Sequence, residues 1–362
     1  MIPMDEITFL KSFVEIYSPH GDEDEASDFL YRAMKDLGLK TERTELGNVV
    51  GEIGEGGPII FLCGHMDTVK GRLPVKLTDN KLYGRGAVDA KSALAAMIMA
   101  ASRFSRSSNI GKIIVAAVVD EEGHSKGIRE LIKKDIKADY AIFGEPSHLK
   151  NITVGYKGTL SIHVNIETCG GHSSNPLISN AIEEAIKLWS NIKENFRKYI
   201  KKSFRSSIIC SINGFSNIGL GKATIHLNFR YPDKEDLNRI REELNRIKKE
   251  FNSADHVKAD IVEDELCHPY NSDKKSILVS ALQKAIKMVT GEDALLISKT
   301  GTGDMNIFGA VYGIPTVTYG PGDSRLDHTA DEAIDLEEYL KSIDVLECCI
   351  RTLFDLELSR DK

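Results

Sequence analysis

The chain has 362 residues, of which 41% are hydrophobic and 28% are charged, and its 47 basic and 54 acidic side chains give a net charge of -7. This length allows two domains, and this composition excludes a disordered or fibrous chain. The acidic balance excludes a general basic surface for nucleic acid or anionic membrane. No apolar run reaches transmembrane length, the N-terminus lacks a secretory pattern and no cysteines have C-x-x-C spacing, so we predict a cytoplasmic protein.

The first and last parts of the sequence have the pattern of an α/β domain. Two helices are predicted between Asp5 and Leu39, and apolar strands that alternate with helices follow them. The predicted strands are PIIFLCG (58–64), KIIVAAVV (112–119), ADYAIFG (138–144) and IPTVTYG (314–320). Such strands are typical of a sheet covered by helices on both faces. We therefore predict one α/β domain with a mixed, largely parallel sheet, formed by residues 1–158 and 267–362.

The middle of the chain has a different pattern. From Thr159 the run TLSIHVNIET alternates apolar and polar residues, and a helix is predicted from about Asn175 to Tyr199. Two strand-like runs, a charged helix and the strand VKADIVEDE complete a β-α-β-β-α-β order. This order is typical of a ferredoxin-like α+β domain, and the alternation indicates a sheet with one face covered by helices. Residues 159–266 are therefore predicted to form a small inserted domain.

Histidines and acidic residues follow the predicted parallel strands. Because strand carboxyl ends meet at one edge of an open sheet, we expect these side chains to converge. Taken singly, each has an ordinary interpretation as a helix cap, turn residue or core histidine. Together they form the N/O donor set expected for zinc or a related divalent ion. They are His65 and Asp67 after the first strand, Asp89 before the helix KSALAAMIMAASRF, Glu121 and Glu122 after the second strand, Glu145 after the third and His328 after the last.

The spacing of His65 and Asp67 in GHMDTV has a physical use in a metal site. A carboxylate that accepts a hydrogen bond from the far ring nitrogen of a ligating histidine fixes its tautomer and orientation. We therefore predict that His65 binds metal and that Asp67 holds His65.

The motifs GHMDTV, YGRGAVDAKSALAA, VVDEEGHSKGI, FGEPS, GGHSSNP, KTGTGDMN and LDHTADE resemble, in order and approximate spacing, those of the M20 family of co-catalytic zinc peptidases and deacylases. The resemblance spans nearly the whole chain. It implies a zinc-peptidase catalytic domain with two divalent metal ions, zinc or alternatively cobalt, that are bridged by Asp89. It further implies that His65 and Glu145 complete one metal site and that Glu122 and His328 complete the other.

The same resemblance implies that Glu121 is the general acid/base and that Asp67 belongs to the catalytic set. A glutamate at position 145 is similar to the amino-acid deacylase branch of the family. Adjacent glutamates make chemical sense, because one can bind metal while its neighbour carries a proton from water to the leaving nitrogen. Two ions polarise the amide carbonyl and acidify water, so no covalent intermediate is needed. The alternative interpretation of DEEGHS is a solvated acidic turn.

Further site residues follow from the resemblance. His172 in GGHSSNP is similar to the family histidine that contacts the oxyanion, often from the partner subunit, which implies that the inserted domain is a lid and a dimerisation domain. Arg230 in HLNFRYP is similar to the arginine that binds a substrate carboxylate, although an exposed strand residue is the alternative. Apart from the resemblance, the glycine-rich turn YGPGDS predicts that Gly320 and Gly322 offer backbone N–H groups to a substrate anion, as successive amides in turns do.

Within the family, the sequence is most similar to the branch that releases lysine or ornithine from the acidic amino-group carrier protein LysW, in lysine and arginine biosynthesis. The alternatives are deacetylation of N-acetylornithine, N-acetyl-lysine or a related small N-acyl amino acid, and, less favoured, an aminopeptidase or a non-catalytic metal-binding module. The basic run around Lys198, Lys201 and Lys202 is either a solvated helix end or a docking surface for an acidic carrier.

Overall fold

A computed structural model describes residues 5–104, 111–169, 179–200, 205–217 and 220–358. The chain forms two compact units. Unit 1 contains Met1–Gly155, Asn271–Ser298 and Gly303–Lys362, and unit 2 contains Tyr156–Tyr270 and Lys299–Thr302. Within the described residues, no helix is both long enough and apolar enough to cross a membrane.

Helices and strands alternate through most of the chain. The helices of the described residues are α1 (Glu6–Glu15), α2 (Asp24–Asp36), α3 (Lys91–Phe104), α4 (Lys126–Lys133), α5 (Ala181–Ile200), α6 (Lys234–Phe251), α7 (Ile277–Thr290), α8 (Asp304–Tyr312) and α9 (Leu336–Leu358). The strands of the described residues are β1 (Lys40–Arg43), β2 (Val49–Glu55), β3 (Ile59–His65), β4 (Lys76–Leu77), β5 (Lys81–Tyr83), β6 (Gly111–Val118), β7 (Tyr140–Gly144), β8 (Asn151–Tyr156), β9 (Gly158–Cys169), β10 (Arg205–Asn217), β11 (Leu220–Tyr231), β12 (Val257–Cys267), β13 (Tyr270–Asn271), β14 (Leu295–Lys299), β15 (Thr316–Thr318) and β16 (Ala333–Asp335).

The main sheet of unit 1 has a parallel centre and antiparallel margins. Its strand order is β1-β2-β6-β3-β7-β15-β8-β13, and β14 pairs with β8. The neighbours β6, β3, β7 and β15 run parallel. Strand β2 pairs antiparallel with β6, and β15 pairs antiparallel with β8. The prediction of a mixed, largely parallel sheet is therefore confirmed, and the unpredicted hairpin β1–β2 extends one side of it.

Helix α3 packs closely on the parallel centre of this sheet. Its sequence KSALAAMIMAASRF is rich in alanine, and every residue from Lys91 to Ser102 is buried. The small side chains let the helix approach β3, where a Cβ added at Gly64 would lie only 3.1 Å from Leu94 Cβ. This packing fixes the start of α3 in a dense core, and Asp89 lies two residues before that start.

Unit 2 contains an antiparallel sheet in the order β10-β11-β9-β12. Apolar residues of β9 and β11 alternate with polar ones and form a core with apolar residues of α5 and α6. We call the opposite side of the sheet the open face. Helix α5 is described from Ala181, where the Asn180 side chain accepts hydrogen bonds from the backbone N–H groups of Ile182 and Glu183. This cap explains a start later than the predicted Asn175, although residues 170–178 lie outside the described part.

Candidate metal centre

Asp89 lies between two histidines in unit 1. Its Oδ1 atom is 3.5 Å from His65 Nε2, and its Oδ2 atom is 3.0 Å from His328 Nε2. His65 ends β3, whereas His328 lies in the loop after β15, so the fold brings together residues from distant parts of the sequence. The two oxygens of one carboxylate therefore face two different imidazoles, which is the arrangement that a bridging ligand needs.

Acidic side chains complete two groups of potential metal ligands around Asp89. His65, Glu121 and Glu145 form one group, and Asp89, Glu122 and His328 form the other, with the ligand atoms of each group within 4.8 Å of one another. His65 Nε2 is 3.7 Å from Glu145 Oε1, and His328 Nε2 is 2.9 Å from Glu122 Oε1. Each group offers nitrogen and oxygen donors, which suit zinc or a similar divalent ion.

The tautomer of His65 follows from its hydrogen bonding. Its Nδ1 atom lies 2.9 Å from the backbone oxygen of Asp67, which can only accept, so Nδ1 carries the proton. The Nε2 lone pair then faces Asp89 and Glu145, and among the described residues this buried atom has no hydrogen-bond partner. The Nε2 lone pair and the carboxylate oxygens are all electron-pair donors, so they cannot satisfy one another. A divalent cation bound between them would satisfy all three, and the residues therefore fit such an ion.

Asp67 holds His65 through its backbone oxygen, and not through the carboxylate as the sequence predicted. Its carboxylate is 3.6 Å from His65 Nδ1, which is farther than its own backbone oxygen. The two carboxylate oxygens accept hydrogen bonds from the backbone N–H groups of Glu121 and Glu122, at 3.2 and 3.0 Å. Asp67 therefore contacts both His65 and the loop that carries the two glutamates.

The charges of the centre favour bound cations. The carboxylates of Asp89 and Glu122 raise the pKa of His328 to about 10. Burial lowers the pKa of His65, but the facing Asp67 and Asp89 carboxylates outweigh burial and raise it well above the ordinary value. Both shifts reflect an excess of carboxylates over histidines in the centre, and divalent cations bound at the Nε2 atoms would neutralise that negative charge.

Glu121 lies among acids that make it a strong base. Burial raises its pKa well above the ordinary range, and Glu145 is the largest of the charged neighbours that raise it further. Asp304, at the start of α8, adds to this effect, and burial raises the pKa of Asp304 itself to about 7. Asp304 lies in the motif KTGTGDMN, but its role could not be predicted, because its burial depends on the tertiary fold.

The loop that carries Glu121 and Glu122 is fixed by Asp120 and Gly123, which were not predicted as site residues. Asp120 has a φ of 61° and accepts a hydrogen bond from the His124 backbone N–H at 3.2 Å. A Cβ at Gly123 would lie 2.3 Å from Asp120 Oδ1, so a larger residue here would displace the Asp120 carboxylate that holds the turn. Glycine after the DEE run was a local signal that could have revealed this tight loop.

Glu332 fixes the backbone next to Asp89. Its carboxylate accepts hydrogen bonds from the backbone N–H groups of Val88 and Asp89, at 3.0 and 3.1 Å. It also forms a buried ion pair with Arg85, in which Nη1 is 2.7 Å from Oε2. The sequence showed both residues in the quoted motifs, but no local pattern connects positions 85 and 332.

We expect Glu332→Gln to lower the free energy of unfolding by about 3 kcal/mol, because it leaves the buried Arg85 guanidinium without a counter-charge. Urea denaturation of the chelator-treated protein measures this change. Asp331→Asn is the matched control, since Asp331 is exposed and should change stability by less than about 0.5 kcal/mol. Equal stability of Glu332→Gln and the control would contradict the proposed importance of this ion pair.

The residues predicted to bind substrate lie in different surroundings. His172 lies outside the described residues. Arg230 is on β11 and its Nη1 donates a hydrogen bond to Thr302 Oγ1, both within unit 2. The Gly322 N–H already donates to Glu338 Oε1 at 3.0 Å, which argues against its predicted role with a substrate anion. A Cβ at Gly320 would lie 2.8 Å from the Glu145 backbone oxygen, so this glycine permits close packing beside Glu145.

Residues 61–352 match the family described as peptidase family M20/M25/M40. The chain belongs to this family. Relatives of similar length support the same assignment. A Pyrococcus abyssi protein, a candidate LysW-lysine/LysW-ornithine hydrolase by name, is 36% identical over 361 residues, which cover 99% of this chain and 97% of that protein.

Two further relatives of this M20 chain carry names for related activities. A LysW-lysine/LysW-ornithine hydrolase of Sulfurisphaera tokodaii is 34% identical, with 91% of this chain and 90% of that protein covered. A LysW-lysine hydrolase of Deinococcus radiodurans is 31% identical, with 95% of this chain and 96% of that protein covered.

Solved structures of other hydrolases share the fold. A tripeptidase from Staphylococcus aureus superposes with a TM-score of 0.82 at 22% identity, covering 97% of this chain and 99% of that one. A Bacillus subtilis protein described as a dinuclear metal-binding peptidase of the M20 family superposes with a TM-score of 0.72 at 15% identity, covering 96% of this chain and 97% of that one. The chain therefore has the fold of M20 hydrolases.

Proposed function

We propose that this M20 hydrolase cleaves the amide that joins lysine or ornithine to the carrier protein LysW. The observation that carries the proposed chemistry is the Asp89 carboxylate, whose two oxygens face His65 and His328. The proposed substrate is supported by relatives with that name, which align over at least nine tenths of both chains. The test is the release of free lysine or ornithine from carrier-linked substrate by the zinc-loaded protein.

The proposed ligands form two groups around a shared carboxylate. Asp89 would be shared by both ions, His65 and Glu145 would complete one group, and Glu122 and His328 would complete the other. Zinc is the proposed metal and cobalt the alternative, because imidazole and carboxylate donors suit both. Bound as a pair, such ions would supply Lewis-acid polarisation of the amide carbonyl and would acidify a water molecule at the centre.

The protein supplies the proton transfers. Glu121 is the proposed general base, which takes a proton from the attacking water onto its carboxylate and then delivers that proton to the leaving nitrogen. The fold keeps this side chain beside the ligand groups, because Asp67 binds the backbone N–H groups of both Glu121 and Glu122. Burial supports the role, since it raises the pKa of Glu121 and so makes its carboxylate a better proton acceptor.

Arg230 is the proposed partner of the carboxylate of the released amino acid. We expect Arg230→Lys to lower kcat/KM for N-acetyl-lysine by roughly 10- to 100-fold, because a lysine ammonium cannot form the bidentate hydrogen bonds of a guanidinium. The rate with the corresponding N-acetyl-lysine amide, which lacks the carboxylate, should change much less. Steady-state kinetics of both proteins with both compounds forms a cycle analogous to a double-mutant cycle, in which one change is in the protein and the other is in the substrate.

The control for this prediction is Arg239→Ala, which removes an exposed arginine of the same unit that pairs with Glu235. It should leave both rates unchanged. If Arg230→Lys lowers the rates of acid and amide equally, Arg230 has a structural role through Thr302 instead.

A homodimer that forms through unit 2 is the proposed assembly. Strand β10 lies at the end of the four-stranded sheet, and a long edge strand is available to pair with a second copy. Light scattering should give twice the mass of the 40.1 kDa chain. A fully active monomer at nanomolar concentration would contradict both the dimer and a role for His172 in the partner's site.

The basic end of α5 is a proposed docking surface for an acidic carrier. Lys193 and Arg197 are exposed on α5, whereas the side chains of Lys198, Lys201 and Lys202 lie outside the described part. Steering by surface charge weakens with salt, so rising ionic strength should lower kcat/KM for a carrier-linked substrate more than for a small one. This comparison separates the carrier hydrolase from the alternative, a deacylase of small N-acyl amino acids.

A further inference from the structure

Unit 2 contains a second kind of potential ligand group, on the open face of its sheet. His163 of β9 and His226 of β11 are directly opposite each other in the antiparallel register. Their imidazole rings stack with centroids 4.3 Å apart and an angle of 9° between the planes. Opposite residues of neighbouring strands have adjacent Cβ atoms, so the sheet itself holds the two rings together.

Asp264 brings a carboxylate to the two rings. The register of β12 against β9 shifts between Glu263 and Glu265, which places Asp264 in a β-bulge. A bulge inserts one residue and redirects its side chain. Asp264 Oδ2 lies 3.2 Å from His163 Nε2 and 3.9 Å from His226 Nε2. Three strands therefore each contribute one potential ligand to the same point.

The three ligand atoms are close to the spacing that a zinc-type ion requires. They lie within 4.8 Å of one another. Donor atoms about 2.0–2.2 Å from a tetrahedral ion are roughly 3.3–3.6 Å apart. Because the two rings stack nearly parallel, their in-plane lone pairs do not converge, so one ring has to turn about its χ2 angle for both Nε2 atoms to face the same ion. Two imidazoles and one carboxylate suit zinc, nickel or copper rather than calcium or magnesium, which prefer oxygen donors.

His226 provides an independent indication of a missing partner. Its Nε2 atom is buried, and among the described residues it has no hydrogen-bond partner. The neighbouring polar residues of the open face are paired: Thr224 donates to Asn165 at 2.9 Å, and Asn228 donates to Ser161 at 2.8 Å. A hydrogen bond from His163 to Asp264 satisfies that pair alone, whereas an ion would satisfy all three side chains.

We propose that His163, His226 and Asp264 form a third divalent-ion site, specific for zinc-class metals and composed entirely of unit 2 residues. An ion there would join β9, β11 and β12 across the open face. Three protein ligands would leave the fourth position of a tetrahedral ion for water, and all three side chains are partly exposed. This site is independent of the proposed dinuclear centre, whose ligands all belong to unit 1.

The test is the number of zinc ions bound per chain. Full-length protein is equilibrated with micromolar free zinc held by a chelator buffer, separated by gel filtration and analysed for zinc and protein. We expect one more ion in the unaltered protein than in His163→Ala or His226→Ala. His256→Ala is the matched control, because it removes an exposed histidine of unit 2 outside the group and should retain the additional ion.

Asp264→Asn keeps the test valid if the histidine variants fail to fold, since Asp264 is exposed at the sheet surface. Titration with zinc against a chromophoric competitor should show at least a tenfold weaker third ion in Asp264→Asn, with the tighter ions unchanged. Circular dichroism confirms that each variant is folded. The proposal is overturned if the folded histidine variants bind as many ions as the unaltered protein, or if Asp264→Asn binds all ions with unaltered affinity.

Discussion

Glu121→Gln should retain its metal content and lose kcat by about 10²- to 10⁴-fold. The substitution keeps the size of the side chain and removes only its ability to carry a proton. The expected loss of kcat is the usual contribution of general acid–base catalysis. Elemental analysis of the zinc-loaded variant, combined with hydrolysis rates on the same preparation, measures both properties.

Glu122→Gln is the matched control, because it alters the adjacent glutamate in the same loop. Glu122 contacts His328 at 2.9 Å, so its variant should lose a metal ion together with activity. Different metal contents of the two variants would assign separate roles to neighbouring carboxylates. If Glu121→Gln also lost metal, or kept a near-normal rate, Glu121 would not be the proton carrier.

Asp89→Asn should weaken both metal ions and abolish most of the activity. In the structure, each Asp89 oxygen faces a different histidine. A carboxamide has only one oxygen acceptor and no charge, so asparagine could not bind a cation on both sides. We expect zinc affinity to fall by more than about 100-fold at both positions, since even residues behind the ligands contribute 10- to 100-fold. Competition with a chromophoric chelator measures the two affinities.

His328→Ala distinguishes a bridging ligand from an ordinary one. Because His328 contacts Asp89 and Glu122 but belongs to only one ligand group, its variant should lose one ion and keep the other. Asp79→Asn, which alters an exposed acid of the same unit, should bind zinc normally. Loss of only one ion from Asp89→Asn would contradict the bridging role.

The positions of the main elements could be predicted because hydrophobic periodicity is a local property. The predicted helix KSALAAMIMAASRF is α3, Lys91–Phe104, and the predicted strand PIIFLCG is within one residue of β3, Ile59–His65. The grouping of acids and histidines at one edge of the sheet followed from the parallel strands, because their carboxyl ends point in the same direction. The short hairpin β1–β2 was missed, since β1 is mostly exposed and lacks an apolar pattern.

The residues that hold the candidate centre in place could not be predicted from local patterns. Glu332 accepts a hydrogen bond from the Val88 backbone, which lies 244 positions away in the chain. The bulge at Asp264 depends on the register between two strands, which the sequence of either strand alone does not define. The signal for the histidine pair was present, because His163 and His226 occupy polar positions of alternating strands.

The most direct test of the proposed function is the ratio of two kcat/KM values measured on one zinc-loaded preparation. The substrates are LysW-linked lysine and N-acetyl-lysine, and LysW-linked ornithine extends the comparison to the second amino acid. A carrier hydrolase should prefer the LysW-linked substrate by more than about tenfold, because the carrier adds contacts that a small acyl group lacks. A higher kcat/KM for N-acetyl-lysine would contradict this account and would favour a small-molecule deacylase.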